Sequence, residues 1–343
     1  MTLAAWRLHL TGLAILLDLL LASPARAQDA ATFYEGRAIN LVVGFNVGGG
    51  ADTYARLIAR HLRKHIRGNL AVIVRNMPGA GSMAAANYVF NVSPKDGSEI
   101  GLFAGSIAVD PVIGGVPAKY DARKFNWIGA PAEDISVCLS SRTTSFQTFK
   151  DVLAREMVTG AAGTSTYDFP VVLNNLVGTK FKLVKGYKGS AGLRLALERG
   201  EIEGFCGVGI SSLRALGLTP DKVNILVQIA LRKNQELADV PLAIDYARSE
   251  QDRQVMQLIF GWRAMERPLA APPGVPEERV RTLRDAFDQT MLDGEFTADI
   301  ERAGLAFGPM SGKDIASFVE EVYRTPAAVA KRAAEFLRSD GAR

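Results

Sequence analysis

Backbone, more than any side chain, is the chemically suggestive material in this sequence. Glycine clusters three times where a short apolar run gives way to a helix-period run. The first cluster is Val43-Gly44-Phe45-Asn46-Val47-Gly48-Gly49-Gly50-Ala51-Asp52, which leads into a helix headed by Asp52. The second is Asn76-Met77-Pro78-Gly79-Ala80-Gly81-Ser82, ahead of a helix over Met83–Phe90. The third is Gly160-Ala161-Ala162-Gly163-Thr164-Ser165-Thr166, ahead of a helix over Asp168–Leu176. Free N–H groups at a helix start, aligned with the helix dipole, attract an anion, and glycine lets it approach the backbone. One such turn often holds glycine purely for packing, whereas three in chain order are more informative. The chemistry expected of them is capture of an anion without a fixed cationic side chain.

Other chemistry is poorly supplied. No Gly-Lys is followed by Ser or Thr, so there is no Walker-type loop, and no Gly-x-Ser-x-Gly elbow occurs. Gly79-x-Gly81-x-x-Ala84 is a loose dinucleotide fingerprint, but Arg75 to Pro78 separate it from its strand. Of 3 histidines, His9 lies in the leader, and His61 and His65 stand four apart on one helix. No third metal ligand follows them nearby, and with Arg60, Arg63 and Lys64 around them they read as ordinary helix surface. No metal and no cofactor is expected, and no catalytic residue is assigned. Cys138 and Cys206 both sit in apolar runs. A bridge between them would contribute roughly 4 kcal/mol in the chain-entropy model, and two separate buried thiols are the other reading.

Around these turns, apolar runs alternate with helical patterns from Ala38 onward, the order of an α/β protein with largely parallel pairing. Ala55, Ile58, Leu62 and Ile66 fall on one face of the helix after the first turn, and Val280, Leu283, Phe287 and Met291 form a later stripe. The first 27 residues read as a signal peptide: Arg7, an apolar core over Leu8–Leu21 interrupted by Asp18, and Ala25-Arg26-Ala27 before the cleavage point. The rest is expected in the periplasm. With 343 residues the chain is long enough for two domains, and 40 basic against 36 acidic residues give a formal charge of +4. The basic residues are dispersed without aromatic interleaving, so no nucleic-acid partner is expected.

Taken in order, the motifs resemble the solute receptors of tripartite tricarboxylate transporters, the Bug-type receptors. They are Leu41–Phe45 with Gly48-Gly49-Gly50-Ala51-Asp52 and Ala55-Arg56-Leu57, then Asn76-x-Pro78-Gly79-Ala80-Gly81, Asp96-Gly97, the Gly160–Thr166 turn, Tyr187-Lys188-Gly189-Ser190, Gly200-Glu201-Ile202-Glu203, Asp239-Val240-Pro241 and Ala271-Pro272-Pro273-Gly274-Val275-Pro276. The resemblance implies a two-domain periplasmic-binding-protein fold of type II character, each domain a mostly parallel sheet flanked by helices, with a hinged cleft between. Crossings near Pro131 and Arg248 would make residues 28–131 and 249–343 a discontinuous first domain and 132–248 the second.

It further implies a monomer that holds a small organic acid between Asn46, Val47, Gly48, Gly49, Gly50 and Asp52 of one domain and Gly163, Thr164, Ser165 and Thr166 of the other. Ser106 and Tyr187 are additional cleft candidates. Delivery would be to the membrane permease subunits of such a transporter. The sequence departs from the family in the first lead-in, where the usual Pro-x-x-Gly-Gly reads Gly44-Phe45-Asn46-Val47-Gly48-Gly49, at Ser165 in place of a glycine, and at Gly186 in place of a proline. An exported enzyme or a signalling receptor on the same scaffold are the alternatives.

Overall fold

In the computed structural model, described for residues 30–338 except 69, 115–117 and 163, the chain builds two sheets. The signal peptide and its cleavage point lie outside the described residues. No helix among the described residues is long and apolar enough to cross a membrane.

The first sheet has the order β11-β4-β10-β3-β1-β2. Its strands are β1 (Ala38–Val43), β2 (Ala71–Asn76), β3 (Glu99–Leu102), β4 (Asn126–Ala130), β10 (Leu269–Ala271) and β11 (Met310–Ser311). The second has the order β7-β6-β8-β5-β9, from β5 (Ser136–Ser141), β6 (Met157–Gly160), β7 (Phe181–Val184), β8 (Gly204–Gly209) and β9 (Val223–Ile229). Strands joined through helices pair in parallel: β1 with β2 and β3, and β6 with β7 and β8. Both sheets are mixed, however. β10 and β5 enter antiparallel to their neighbours, and these are the strands through which the chain arrives from the other sheet.

The central strands of each sheet are buried on both faces, which explains their continuous apolar runs, whereas edge strands β2 and β7 are partly exposed. On β1, Ile39, Leu41 and Val43 join a core with Ala55, Ile58 and Leu62, while Val42 points into a second core with Met83, Phe103 and Trp127. On the second sheet, Cys138 and Cys206 face a core with Phe169 and Val255, and Val137, Leu139 and Phe205 face the opposite one. Cys138 and Cys206 are register partners on β5 and β8, both fully buried, and are joined by a disulfide.

The chain leaves the first sheet after Ala130 and enters the second at Ser136. Its return was expected near Arg248, but helix Glu250–Phe260 buries Val255, Met256, Ile259 and Phe260 in the core of the second sheet. The return therefore falls after that helix, before β10. The two crossing segments lie side by side, with Glu266 N–H donating to Ala132 O at 2.8 Å in an antiparallel bridge. The last helix, Ala327–Arg338, also docks on the second sheet's core through Val329, Ala333, Ala334 and Leu337. Packing of these apolar faces, more than strand order, decides where each segment sits.

Candidate functional site

The first glycine turn leaves β1 at Val43, with Gly44 N–H still donating to Leu102 O at 2.9 Å. Gly48 takes φ +81°, a left-handed conformation that suits glycine, and the helix then begins at Gly50 with Gly49 as its N-cap. Gly49 has no side chain to offer, so the first amides of this helix have no side-chain cap. Asp52 does not head the helix, as the sequence suggested, but sits in its first turn and works backwards. Its Oδ2 accepts from Gly48 N–H and from Arg56 Nε, both at 2.9 Å, and its Oδ1 accepts from Asn76 Nδ2 at 3.0 Å.

Asn76 donates its other proton to Phe45 O at 3.0 Å, so this one amide holds both arms of the turn. The Arg56 hydrogen bond, opposed by burial and helped by the Gly48 amide and Asn76, holds the Asp52 carboxyl down at about 2. Asp52 is 3% exposed, whereas Asn46 to Gly50 are all exposed, Val47 at 70%. The carboxylate is thus consumed beneath the turn while the turn's backbone faces outward.

The second glycine segment braces the first. Gly79, Ala80, Gly81 and Ser82 all have positive φ, which folds the chain sharply before helix Met83–Asn91. Ser82 Oγ donates to Gly44 O at 3.0 Å and accepts from Ala104 N–H at 3.1 Å, joining the ends of β1 and β3. Asn76 and Ser82 were missed as site-building residues. The only sequence signal was that both lie in a segment already singled out for its glycines.

The third turn repeats the plan of the first. β6 ends at Gly160, and the helix runs Thr164–Leu176, so Thr164 to Thr166 form its first turn where the sequence suggested a loop before Asp168. Thr166 Oγ1 accepts from Ala162 N–H at 2.8 Å, the same third-helical-residue contact that Asp52 makes with Gly48. Gly163 lies outside the described residues. Gly207, at φ +76°, is the extra residue between the pairs Val137–Val208 and Cys138–Cys206. A Cβ there would stand 2.2 Å from Ser165 O, so glycine is what lets β8 run against this helix start. Tyr187 is half-buried, its ring 3.5 Å from where a Gly160 Cβ would lie, and so stands where β6 enters the turn.

Ser106 and Ser165, predicted from different sheets, line one cavity together with Asp168 and Trp262. Its volume of ≈ 20 Å³ is room for about one water. Asn46 to Gly50 do not line it. Behind it, the return crossing carries a charge cluster: Arg263 and Arg267 both pair with Glu266, and Arg263 lies 3.6 Å from Asp134. Burial lowers both guanidinium pKa values, with Asp134 opposing. The Arg267 guanidinium also lies over the rings of Phe45 and Tyr54, at 5.4 and 5.9 Å. The crossing therefore turns one guanidinium, paired with Glu266, toward the first turn.

No protein-family model matches the chain. It is 24% identical over 282 residues to a UPF0065 protein of Agrobacterium vitis, covering 80% of this chain and 77% of that one. Among solved structures it superposes on a TctC solute-binding protein from Polaromonas with a TM-score of 0.66 at 20% identity, covering 88% and 98% of the two chains. An R. palustris protein solved with adipate gives 0.63 at 21% identity, covering 88% and 97%. MatC from Rhodopseudomonas palustris, with bound malate, gives 0.60 at 21% identity, covering 88% and 99%. The fold is that of the periplasmic solute-binding receptors. The resemblance to Bug-type receptors read from the motifs and the likeness of the whole fold therefore agree.

Proposed function

We propose that this chain is an exported solute receptor that captures a small carboxylate between its two sheets and hands it to a transporter of the tripartite tricarboxylate type. The observation that carries the reading is the pair of helix-leading turns, at Gly48–Asp52 and Gly163–Thr166. Each is a strand-to-helix turn whose first helical turn reaches back to hold an amide, and each offers a helix start to an anion. Two such starts contribute roughly 0.3–1 kcal/mol each at a wet surface and more where water is excluded. Closure of the hinge excludes that water and strengthens both contacts.

The solved relatives with adipate and malate support a carboxylate as the ligand class. In this reading Asn46, Val47, Gly48, Gly49 and Gly50 meet the ligand from one side, with Asp52 beneath them. Gly163, Thr164, Ser165 and Thr166 meet it from the other, and Ser106 and Tyr187 flank the cleft. The receptor works as a monomer, residues 28–131 with β10 and β11 forming one jaw, and it binds without turnover.

Thermal-shift screening of the mature chain against mono-, di- and tricarboxylates, amino acids and aromatic acids tests the proposal. A carboxylate that raises the melting temperature in a saturable manner, and loses that effect in Gly49→Val, supports it. Failure of every acid to shift the melting temperature would sink it.

A further inference from the structure

Of the histidine pair set aside as helix surface, His65 lies past the helix end at Leu62 and is partly exposed, whereas His61 is not surface. His61 is 2% exposed and lies edge-on to Phe296, ring centroids 5.6 Å apart. The fold brings the turn at Asp293 and the helix Gly294–Arg302 against the end of helix Gly50–Leu62, placing acidic groups that lie more than two hundred residues away in sequence beside both imidazoles. Asp299 Oδ2 lies 2.8 Å from His61 Nε2. This contact turns the Nε2 edge of His61 toward Asp299 and leaves Nδ1 facing the opposite way.

His61 Nδ1 faces a cation. Lys64 Nζ lies 3.0 Å from His61 Nδ1, 2.6 Å from Glu295 Oε2 and 3.5 Å from Asp293 Oδ2. Asp293 Oδ2 in turn lies 3.5 Å from His61 Nδ1 and 3.4 Å from His65 Nε2. Zinc–ligand bonds of about 2.0–2.1 Å in a tetrahedron separate neighbouring ligand atoms by about 3.4 Å. The ligand atoms of His61, Asp293 and Glu295 all fall within 4.8 Å of one another.

We propose that His61 Nδ1, Asp293 and Glu295 form a divalent transition-metal site with an open fourth position, the Lys64 ammonium standing where the metal would sit. An imidazole with two carboxylates suits zinc and disfavours magnesium and calcium, which prefer all-oxygen shells. Asp299 is the outer carboxylate that orients the His61 ring. Lys64 is 39% exposed at its side chain and can swing into solvent, and its ion pair with the exposed Glu295 is a weak competitor. An ion here would clip the helix that carries the first glycine turn to the helix Gly294–Arg302.

The test is calorimetric titration of tag-free, chelator-treated full-length mature protein with ZnCl2, together with the visible spectrum after Co2+ addition. One equivalent should bind, and Co2+ should give the absorption of a tetrahedral site. Glu295→Gln, at an accessible position, should weaken Zn2+ binding by about tenfold or more, as should Asp299→Asn. Lys64→Ala should tighten it by removing the internal competitor, and excess MgCl2 or CaCl2 should not compete. Absence of saturable Zn2+ uptake, uptake unchanged in the Asp293→Asn/Glu295→Gln double variant, or weaker uptake in Lys64→Ala would each overturn the assignment.

Discussion

The turns before helices Gly50–Leu62 and Thr164–Leu176 share a plan and differ in the group that completes it. In both, the third helical residue reaches back to the amide two residues before the helix begins, which shapes the turn and leaves the next amides outward. In the first turn that residue is Asp52, an anion tied also to Arg56 and Asn76. In the second it is Thr166, a neutral hydroxyl. A buried carboxylate opposes the positive field of its own helix start, whereas a hydroxyl leaves that field intact. The first jaw is thus the more firmly braced and the second the more electropositive at its backbone. One guanidinium of the return crossing, Arg267, stands on the side of Phe45 and Tyr54, though Glu266 pairs with it.

The largest test breaks the second turn by its support. Gly207→Val puts a β-branched side chain at positive φ and against Ser165 O, and should cost about 3 kcal/mol or more by chemical denaturation. In the first turn the close approach falls at Gly44, whose Cβ would meet Ser82, while Cβ atoms at Gly48 and Gly50 meet nothing within 4 Å, so Gly50→Ala should leave stability within about 0.5 kcal/mol of wild type.

Next in size is removal of each back-reaching side chain. Asp52→Ala strands the Gly48 amide, Asn76 and Arg56 and should cost about 2–3 kcal/mol, against about 1 kcal/mol for Thr166→Val. Equal losses in the two variants would show that charge adds nothing to the first turn.

Acid separates the turns without mutation. Asp52 has its pKa lowered from 3.8 to about 2 in the folded chain. A depressed carboxyl contributes stability that is present above the unfolded value and lost as pH falls through the folded one, here between about pH 5 and pH 2. That contribution is about 2 kcal/mol, and Asp52→Asn should flatten that part of the stability profile, while Thr166→Val should leave it unchanged. The smallest effect concerns the ligand. Asp52→Asn removes an opposing charge from the first helix start and should tighten carboxylate binding by about two- to fivefold, read by calorimetry.

The sequence made the strand-to-helix turns and the α/β alternation legible because both are local: glycine spacing and apolar periodicity within ten or fifteen residues. It misjudged where two helices begin, because Gly50 and Thr164 to Thr166 are poor helix formers, and the contacts of Asp52 and Thr166 with backbone amides brace these starts. Asn76, Ser82 and Gly207 escaped notice because their partners at Phe45, Gly44 and Ser165 lie 31, 38 and 42 residues away in the chain. The return crossing was placed too early, because only the apolar face of helix Glu250–Phe260 reveals which core it joins. His61 looked like surface for the same reason, its carboxylates being supplied from the other end of the chain.

The central claim is that one carboxylate meets both turns at once, and amide chemical shifts read it directly. A 15N-labelled mature chain titrated with the acid that most raises its melting temperature should show the amides of Gly48, Gly49 and Gly50 and those of Ser165 and Thr166 shifting together, saturating at one common concentration. Movement of only one set, or of two sets with different midpoints, would contradict capture between the turns.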